Sequence, residues 1–232
     1  MLLEVNDVTV SYGQTPVLFG ANLAVNQGEI ACILGRNGVG KTTLLRSIIG
    51  LNKVMSGNII FDIQNITRLP IFKRARAGIA YIPQGREIIP YLSVLDNLKL
   101  GLSAGNKKLT KIPHEIFEFF PMLKQHLNRQ GGLLSGGQQQ QLAIARGLMS
   151  DPKIMLLDEP TEGIQPSIAQ EIAQVLRKLV SEKGISILLV EQKIDFASQV
   201  SDYYYFMDRG KMVLEGSRDN LDQTEIKKHL SV

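Results

Sequence analysis

The strongest chemical signal in the chain is Gly35-Arg36-Asn37-Gly38-Val39-Gly40-Lys41-Thr42-Thr43. An apolar stretch, Ile30-Ala31-Cys32-Ile33-Leu34, precedes it, and Leu44-Leu45-Arg46-Ser47-Ile48-Ile49 follows in a helical pattern. G-x-x-x-x-G-K-[ST] between a strand and a helix is a phosphate-binding loop for a nucleoside triphosphate. Gly35, Gly38 and Gly40 lack a Cβ, so the backbone can take positive φ and come close to a phosphate. N–H groups at the start of the next helix then face the anion, where partial positive charge collects. Lys41 adds a charge for the β and γ phosphates, and the Thr42 hydroxyl suits Mg²⁺. A glycine-rich surface turn is the bland alternative; it leaves the lysine and the two hydroxyls unexplained.

The second signal is Lys153-Ile154-Met155-Leu156-Leu157-Asp158-Glu159, an apolar run ending in two acids. Such a run reads as a strand buried on both faces of a parallel sheet. Ligands of these sheets sit beyond the carboxyl ends of the strands, where Asp158 and Glu159 fall. Asp158 can hold Mg²⁺ directly or through water, and Glu159 can orient and deprotonate an attacking water. Solvated acids at a strand end are the alternative, and the phosphate loop upstream outweighs it.

Positioning these groups requires a sheet with covering helices. Residues 3–10 alternate apolar and polar, which suggests a half-exposed antiparallel strand, and a second strand runs near 17–25. Tyr12 falls between them; position alone favours a partly buried tyrosine over a stacking ring. Further strands are expected at 58–61, 78–84, 185–190, 203–207 and 211–214, and a short basic helix at 69–77. Ser93-x-x-Asp96 has the spacing of a capping box. Residues 110–130 read as irregular helix, 139–149 and 168–179 as amphipathic helices, and the tail through Ile226 and Leu230 as another. Alternating strands and helices imply a parallel sheet with the phosphate loop at one edge of it.

Bulk properties agree with a globular protein. The chain has 232 residues, 44% hydrophobic and 21% charged, with a net charge of +4. No apolar run approaches the roughly 18 residues of a membrane span, and no secretory leader is visible. The single cysteine, Cys32, excludes an internal disulfide and fits a reducing, cytoplasmic location. Basic clusters at Lys73-Arg74-Ala75-Arg76 and Asn106-Lys107-Lys108 lack interleaved aromatics, so they read as solvated faces and no nucleic-acid partner is expected. His114, His126 and His229 are scattered and suggest no metal site.

Leu134-Ser135-Gly136-Gly137-Gln138 resembles the signature motif of the ATP-binding cassette (ABC) ATPases. Phosphate loop, Gln84 after a strand, signature and acid pair stand in that family's order along essentially the whole chain. The resemblance implies an α/β fold: a P-loop NTPase core with a mixed or parallel sheet, an antiparallel N-terminal β subdomain and an inserted helical subdomain. It implies one domain over 1–232, with 1–86 and 151–232 as core and β subdomain and about 87–150 as the helical part. It moves Tyr12 to stacking on adenine, and gives Gln84 a role in sensing Mg²⁺ and water and touching a membrane partner. Ser135 and Gly137 would contact the γ-phosphate held by the opposite subunit of a head-to-tail dimer, homo- or heteromeric, with two ATP molecules sandwiched between subunits.

Two positions depart from the family pattern. Gln192 stands where a histidine usually bonds the γ-phosphate, and Gln165 where an aspartate usually acts across the dimer. Glutamine cannot titrate, yet its amide can still donate to a phosphate oxygen, so Gln192 is expected to keep the positioning role. Val190-Glu191-Gln192 and Tyr81-Ile82-Pro83-Gln84-Gly85-Arg86-Glu87 look like importer ATPases of the branched-chain amino acid and urea type. The loop 36–40 and the run 158–166 are more similar to the urea-type subunit. The resemblance therefore implies an ATPase taking up a small polar solute, urea first and branched-chain amino acids second. It would work with two transmembrane permease subunits and, indirectly, a periplasmic binding protein, peripheral on the cytoplasmic membrane face. A soluble cassette acting on nucleic acid or ribosomes, an exporter ATPase and a non-catalytic nucleotide scaffold are the competing readings.

Overall fold

A computed structural model describes residues 1–105 and 111–220. In chain order the strands are β1 (Leu3–Tyr12), β2 (Thr15–Val25), β3 (Ile30–Leu34), β4 (Ser56–Phe61), β5 (Gln64–Asn65), β6 (Ile79–Ile82), β7 (Ile154–Asp158), β8 (Ser186–Glu191), β9 (Tyr203–Asp208) and β10 (Lys211–Ser217). The helices are α1 (Lys41–Ile49), α2 (Ile71–Ala77), α3 (Val94–Leu102), α4 (Glu115–Phe119), α5 (Pro121–Gln125), α6 (Gly136–Leu148), α7 (Pro166–Lys183) and α8 (Ile194–Val200). The cluster at 106–108, the start of the irregular helix at Thr110 and the expected tail helix, with His229, lie outside the described residues.

Burial period sorts the strands into two sheets. β1 alternates and joins an antiparallel sheet ordered β2-β1-β4-β5. In β3, β7 and β8 every residue is buried, as strands covered on both faces must be. They form a sheet ordered β10-β9-β3-β8-β7-β6, parallel except for β10. The phosphate loop therefore follows an interior strand, not an edge: β8 and β9, distant in sequence, return on either side of β3. Successive residues of one strand serve two cores. Ile30, Cys32 and Leu34 face a core shared with α6, α7 and α8, while Ala31 and Ile33 face α1 and the antiparallel sheet.

The irregular stretch after residue 110 resolves into α4 and α5, broken at Phe120 (φ −131°), where Pro121 starts the second helix. At α3 the Ser93 hydroxyl accepts from the Asp96 N–H at 3.0 Å, but the Asp96 carboxylate turns onto that hydroxyl at 2.6 Å. The reciprocal bond to the Ser93 N–H is not made, since aspartate is one methylene shorter than the glutamate of a full box.

One cationic cluster is not the solvated face expected. Arg74 is 3% exposed. It donates to four backbone carbonyls: Leu69 at 2.9 Å and Ser47, Ile48 and Thr67 each at 2.8 Å. It ties the carboxyl end of α1 to the segment before α2, where a positive charge also meets the helix dipole favourably.

The turn between β4 and β5 holds strain. Asp62 and Ile63 have φ of 48° and 61°, a primed two-residue hairpin turn that favours asparagine or glycine. Ile63 is β-branched and 96% exposed, so packing returns nothing for the conformation. Relief of about 1–2 kcal/mol of left-handed strain outweighs the entropy glycine adds. Ile63→Gly should therefore stabilise the fold by roughly 0.5–1 kcal/mol. Thermal unfolding checks this; an unchanged or lower midpoint would contradict the strain.

Candidate functional site

Close packing sets the phosphate loop. A Cβ on Gly35 would lie 2.4 Å from the Met207 carbonyl oxygen, so β9 leaves room only for glycine there. Gly40 (φ 113°) turns the chain into α1, which begins at Lys41. Val39 packs into the core beneath the loop, and its carbonyl accepts from the Gly210 N–H at 2.8 Å. Thr43 is buried, its carbonyl accepting from the Ser47 hydroxyl at 2.7 Å.

Lys41 is 4% exposed, and its ammonium donates to the carbonyls of Gly35 at 2.8 Å and Arg36 at 2.9 Å. Its Nζ lies 3.4 Å from Glu159 Oε1. The Thr42 hydroxyl donates to Asp158 Oδ1 at 3.0 Å. Glu159 has a left-handed backbone, φ 47°, and its N–H donates to the Val190 carbonyl at 3.0 Å. Non-glycine residues persist in such conformations where the surroundings over-determine them, and they concentrate at active sites. The Gln192 amide donates to Glu159 Oε1 at 2.9 Å and to Asn37 Oδ1 at 2.5 Å. The carboxyl ends of β3, β7 and β8 thus bring Asn37, Lys41, Thr42, Asp158, Glu159 and Gln192 to one place.

Asp158 is 1% exposed, and burial pushes its carboxyl above the usual range, against hydrogen bonds from Thr42 and Tyr81. Tyr81 donates to Asp158 Oδ2 at 3.1 Å. Burial, and then the Asp158 charge, raise the Tyr81 hydroxyl. The Arg46 guanidinium is held above its ordinary value by Tyr81 first and, more weakly, by Tyr12. Asn52 donates to the Tyr12 hydroxyl at 2.9 Å, and the Tyr12 ring is half exposed. Arg46 thus lies in the electrostatic reach of both Tyr12 and Tyr81, and Tyr81 is bonded to Asp158. Arg46, Asn52 and Tyr81 were not foreseen as site residues, because Tyr81 meets Asp158 only through the β6–β7 pairing.

Among the described residues, no hydrogen bond joins the other expected residues, Gln84, Ser135, Gly137 and Gln165, directly to the six at the carboxyl ends of β3, β7 and β8. Gln84 donates to Glu162 Oε2 at 2.9 Å. Ser135 and Gly137 open α6, and no hydrogen bond among the described residues joins them to the phosphate loop. Ser135 forms a full capping box: its N–H donates to Gln138 Oε1 at 3.0 Å, and its hydroxyl accepts from the Gln138 N–H at 3.4 Å. The Ser-x-x-Gln spacing was the readable signal for it. A Cβ on Gly137 would stand 2.6 Å from Ile168 of α7, so packing alone demands glycine. Gln165 caps α7 without a side-chain bond.

The ABC transporter family profile matches residues 18–162. The chain belongs to that family. The branched-chain amino acid transport ATP-binding protein BraG of Pseudomonas aeruginosa is 36% identical over 214 residues, covering 92% of this chain and 91% of its own. The probable branched-chain amino acid transport protein LivF of Archaeoglobus fulgidus is 34% identical over 225 residues, covering 97% and 95%. A solved cassette, a dimer in a post-hydrolysis state bound to ADP and Pi, superposes with a TM-score of 0.83 at 27% identity, covering 95% of this chain and all of that one. The protein is an ABC ATPase, and its P-loop NTPase fold with an antiparallel sheet beside a mainly parallel one is the cassette fold.

In this cassette Lys41 is the ammonium aimed into the loop. Lys41→Ala should weaken ATP binding by about 2 kcal/mol, the scale of a hydrogen bond to a charged group and close to 30-fold in Kd. Calorimetry checks this; unchanged affinity would remove Lys41 from phosphate binding.

Proposed function

We propose that this chain is the ATP-hydrolysing subunit of an importer, working as a dimer in which each ATP lies between one subunit's phosphate loop and the other's signature segment. The convergence of Lys41, Thr42, Asp158, Glu159 and Gln192 supports hydrolysis. The water's oxygen attacks the γ-phosphorus, the Glu159 carboxylate takes the water's proton, and the bond to the β–γ bridging oxygen breaks to leave ADP and phosphate. Lys41 and Gln192 hold Oε1 of Glu159, and among the described residues no hydrogen bond engages Oε2, the oxygen left for the proton. Gln192, a neutral donor, orients the carboxylate and bonds a γ-phosphate oxygen once nucleotide enters.

Thr42 and Asp158 supply hydroxyl and carboxylate oxygens, the hard donors that Mg²⁺ takes. Among the described residues no group of three or more His, Cys, Asp or Glu gathers as a metal site, so phosphate oxygens and water would complete the shell. The ion would neutralise charge on the β and γ phosphates. Tyr12 would stack on adenine, and Gln84 would sense the ion and the permease. Ser135 is exposed at the N-terminus of α6, a suitable place to meet a partner's phosphate. Among the described residues no helix is long and apolar enough to cross a membrane, so two separate permease subunits would carry the solute. The cassette would sit on the cytoplasmic membrane face, with a periplasmic binding protein delivering solute from the far side.

Branched-chain amino acid uptake is the first reading of the solute, because BraG and LivF carry that name. Urea is the second, favoured by the run from Asp158 to Pro166 and the Arg36–Gly40 loop. Reconstitution with candidate permease and binding-protein partners tests both. ATP-dependent accumulation of labelled leucine supports the first, labelled urea the second, and ATP hydrolysis unlinked to any solute refutes the importer.

A further inference from the structure

Glu191 ends β8 and is 2% exposed, yet the chemistry above assigns it nothing. Its carboxylate accepts four hydrogen bonds from two loops. Oε1 takes the Thr161 hydroxyl at 2.5 Å and the Thr161 N–H at 3.3 Å. Oε2 takes the N–H groups of Gln192 at 3.0 Å and Lys193 at 3.3 Å. Lys193 Nζ donates to the Thr161 carbonyl at 2.9 Å, a second strut between the same loops. Thr161 is itself 1% exposed.

We propose that Glu191 is a positioning residue, a buried staple that holds the loop carrying Glu159 against the loop carrying Gln192. An ionised carboxylate is acceptor-only and offers about four lone-pair sites, which matches four converging donors. An amide of the same shape would turn an N–H₂ group onto N–H donors. Hydrogen bonds to a charged acceptor are roughly twice as strong as neutral ones, so one side chain can fix both loops without touching substrate. The staple also accounts for the left-handed Glu159 backbone, which lies between the Val190 carbonyl bond and Thr161 and is bounded on both sides. Glu191 thus acts through the relative placement of Glu159 and Gln192, and the inference rests on the roles proposed for those two.

The test uses the full chain. Glu191→Gln should lower kcat by about 10- to 100-fold, since small misplacements of catalytic groups cost about that much, with KM for ATP and Kd for a fluorescent ATP analogue within about threefold of wild type. Amide exchange at Thr161, Gln192 and Lys193 should quicken by about tenfold or more, as expected when a local opening becomes easier. Thr161→Val should show the same pattern more weakly, and Thr161→Ser, which restores the hydroxyl, should return to near wild type. Wild-type turnover or wild-type exchange in Glu191→Gln overturns the staple, as does a raised KM with unchanged kcat. If Glu191→Gln does not fold, equal turnover in Thr161→Val and Thr161→Ser overturns it instead. Glu159→Gln and Gln192→Ala are measured alongside. Wild-type hydrolysis by both would refute their proposed roles, whereas the exchange rates at the three amides report the staple separately.

Discussion

Glu159→Gln is expected to bind ATP like the wild type while losing turnover by roughly 100-fold or more, the scale of a general base. The substitution is nearly isosteric. Lys41 Nζ stands 3.4 Å from Oε1, and the Gln192 amide donates to the same oxygen at 2.9 Å. A glutamine oxygen can accept that Gln192 bond, so the side chain keeps its place and only the proton acceptor is lost. Lys41, Thr42 and the loop N–H groups, the groups proposed to hold the nucleotide, are unchanged. Hydrolysis is also what would part a dimer closed on ATP, so the variant should accumulate as an ATP-bound dimer. Steady-state ATPase rates, binding of a fluorescent analogue and size-exclusion chromatography with ATP form the measurement. Near-wild-type hydrolysis would remove Glu159 as the base; lost binding would give it a structural role instead.

How much of this site could be read in advance depended on whether the signal was local. The phosphate loop, the acid pair and the buried strands around them are contiguous patterns, and their residues meet because parallel strands deliver their carboxyl ends to one side of a sheet. Gln192 was readable only through the family resemblance, as the residue standing where a histidine is usual. Strand order was not: nothing in Ile30–Leu34 records that β8 and β9 flank it, which is why an interior strand was expected at an edge. Tyr81 illustrates the same limit, because its bond to Asp158 spans 77 positions and depends on the β6–β7 pairing. Nothing local marks Glu191, because the donors to its Oε1 come from Thr161, 30 residues away. Arg74 misled for a different reason. Composition ranks arginine as exposed, and its acceptors here are backbone carbonyls, which no residue type advertises.

Arg74 carries the largest expected stability effect. Burial pulls its guanidinium below the ordinary range, and among the described residues no carboxylate forms an ion pair with it. Its charge is offset by the carbonyls of Ser47, Ile48, Thr67 and Leu69. Arg74→Met keeps an aliphatic stem but strands carbonyls in a buried place, and each such acceptor costs about 1–3 kcal/mol. Relief from burying the guanidinium returns part of that, so the net loss should be about 3 kcal/mol, comparable to breaking a buried ion pair. At about 2–4 °C per kcal/mol for a chain of this size, the unfolding midpoint should fall by about 6–12 °C. Arg74→Lys should recover little, because one ammonium cannot span carbonyls that a planar fork reaches together. Arg76, two residues on and exposed, is the control, and Arg76→Met should stay within about 0.5 kcal/mol of wild type, as surface changes do. Thermal unfolding of the three variants decides the matter. If Arg74→Met melts with Arg76→Met, the clamp on α1 adds nothing to stability; if Arg74→Lys melts with wild type, charge alone and not the fork holds the carboxyl end of the phosphate-loop helix.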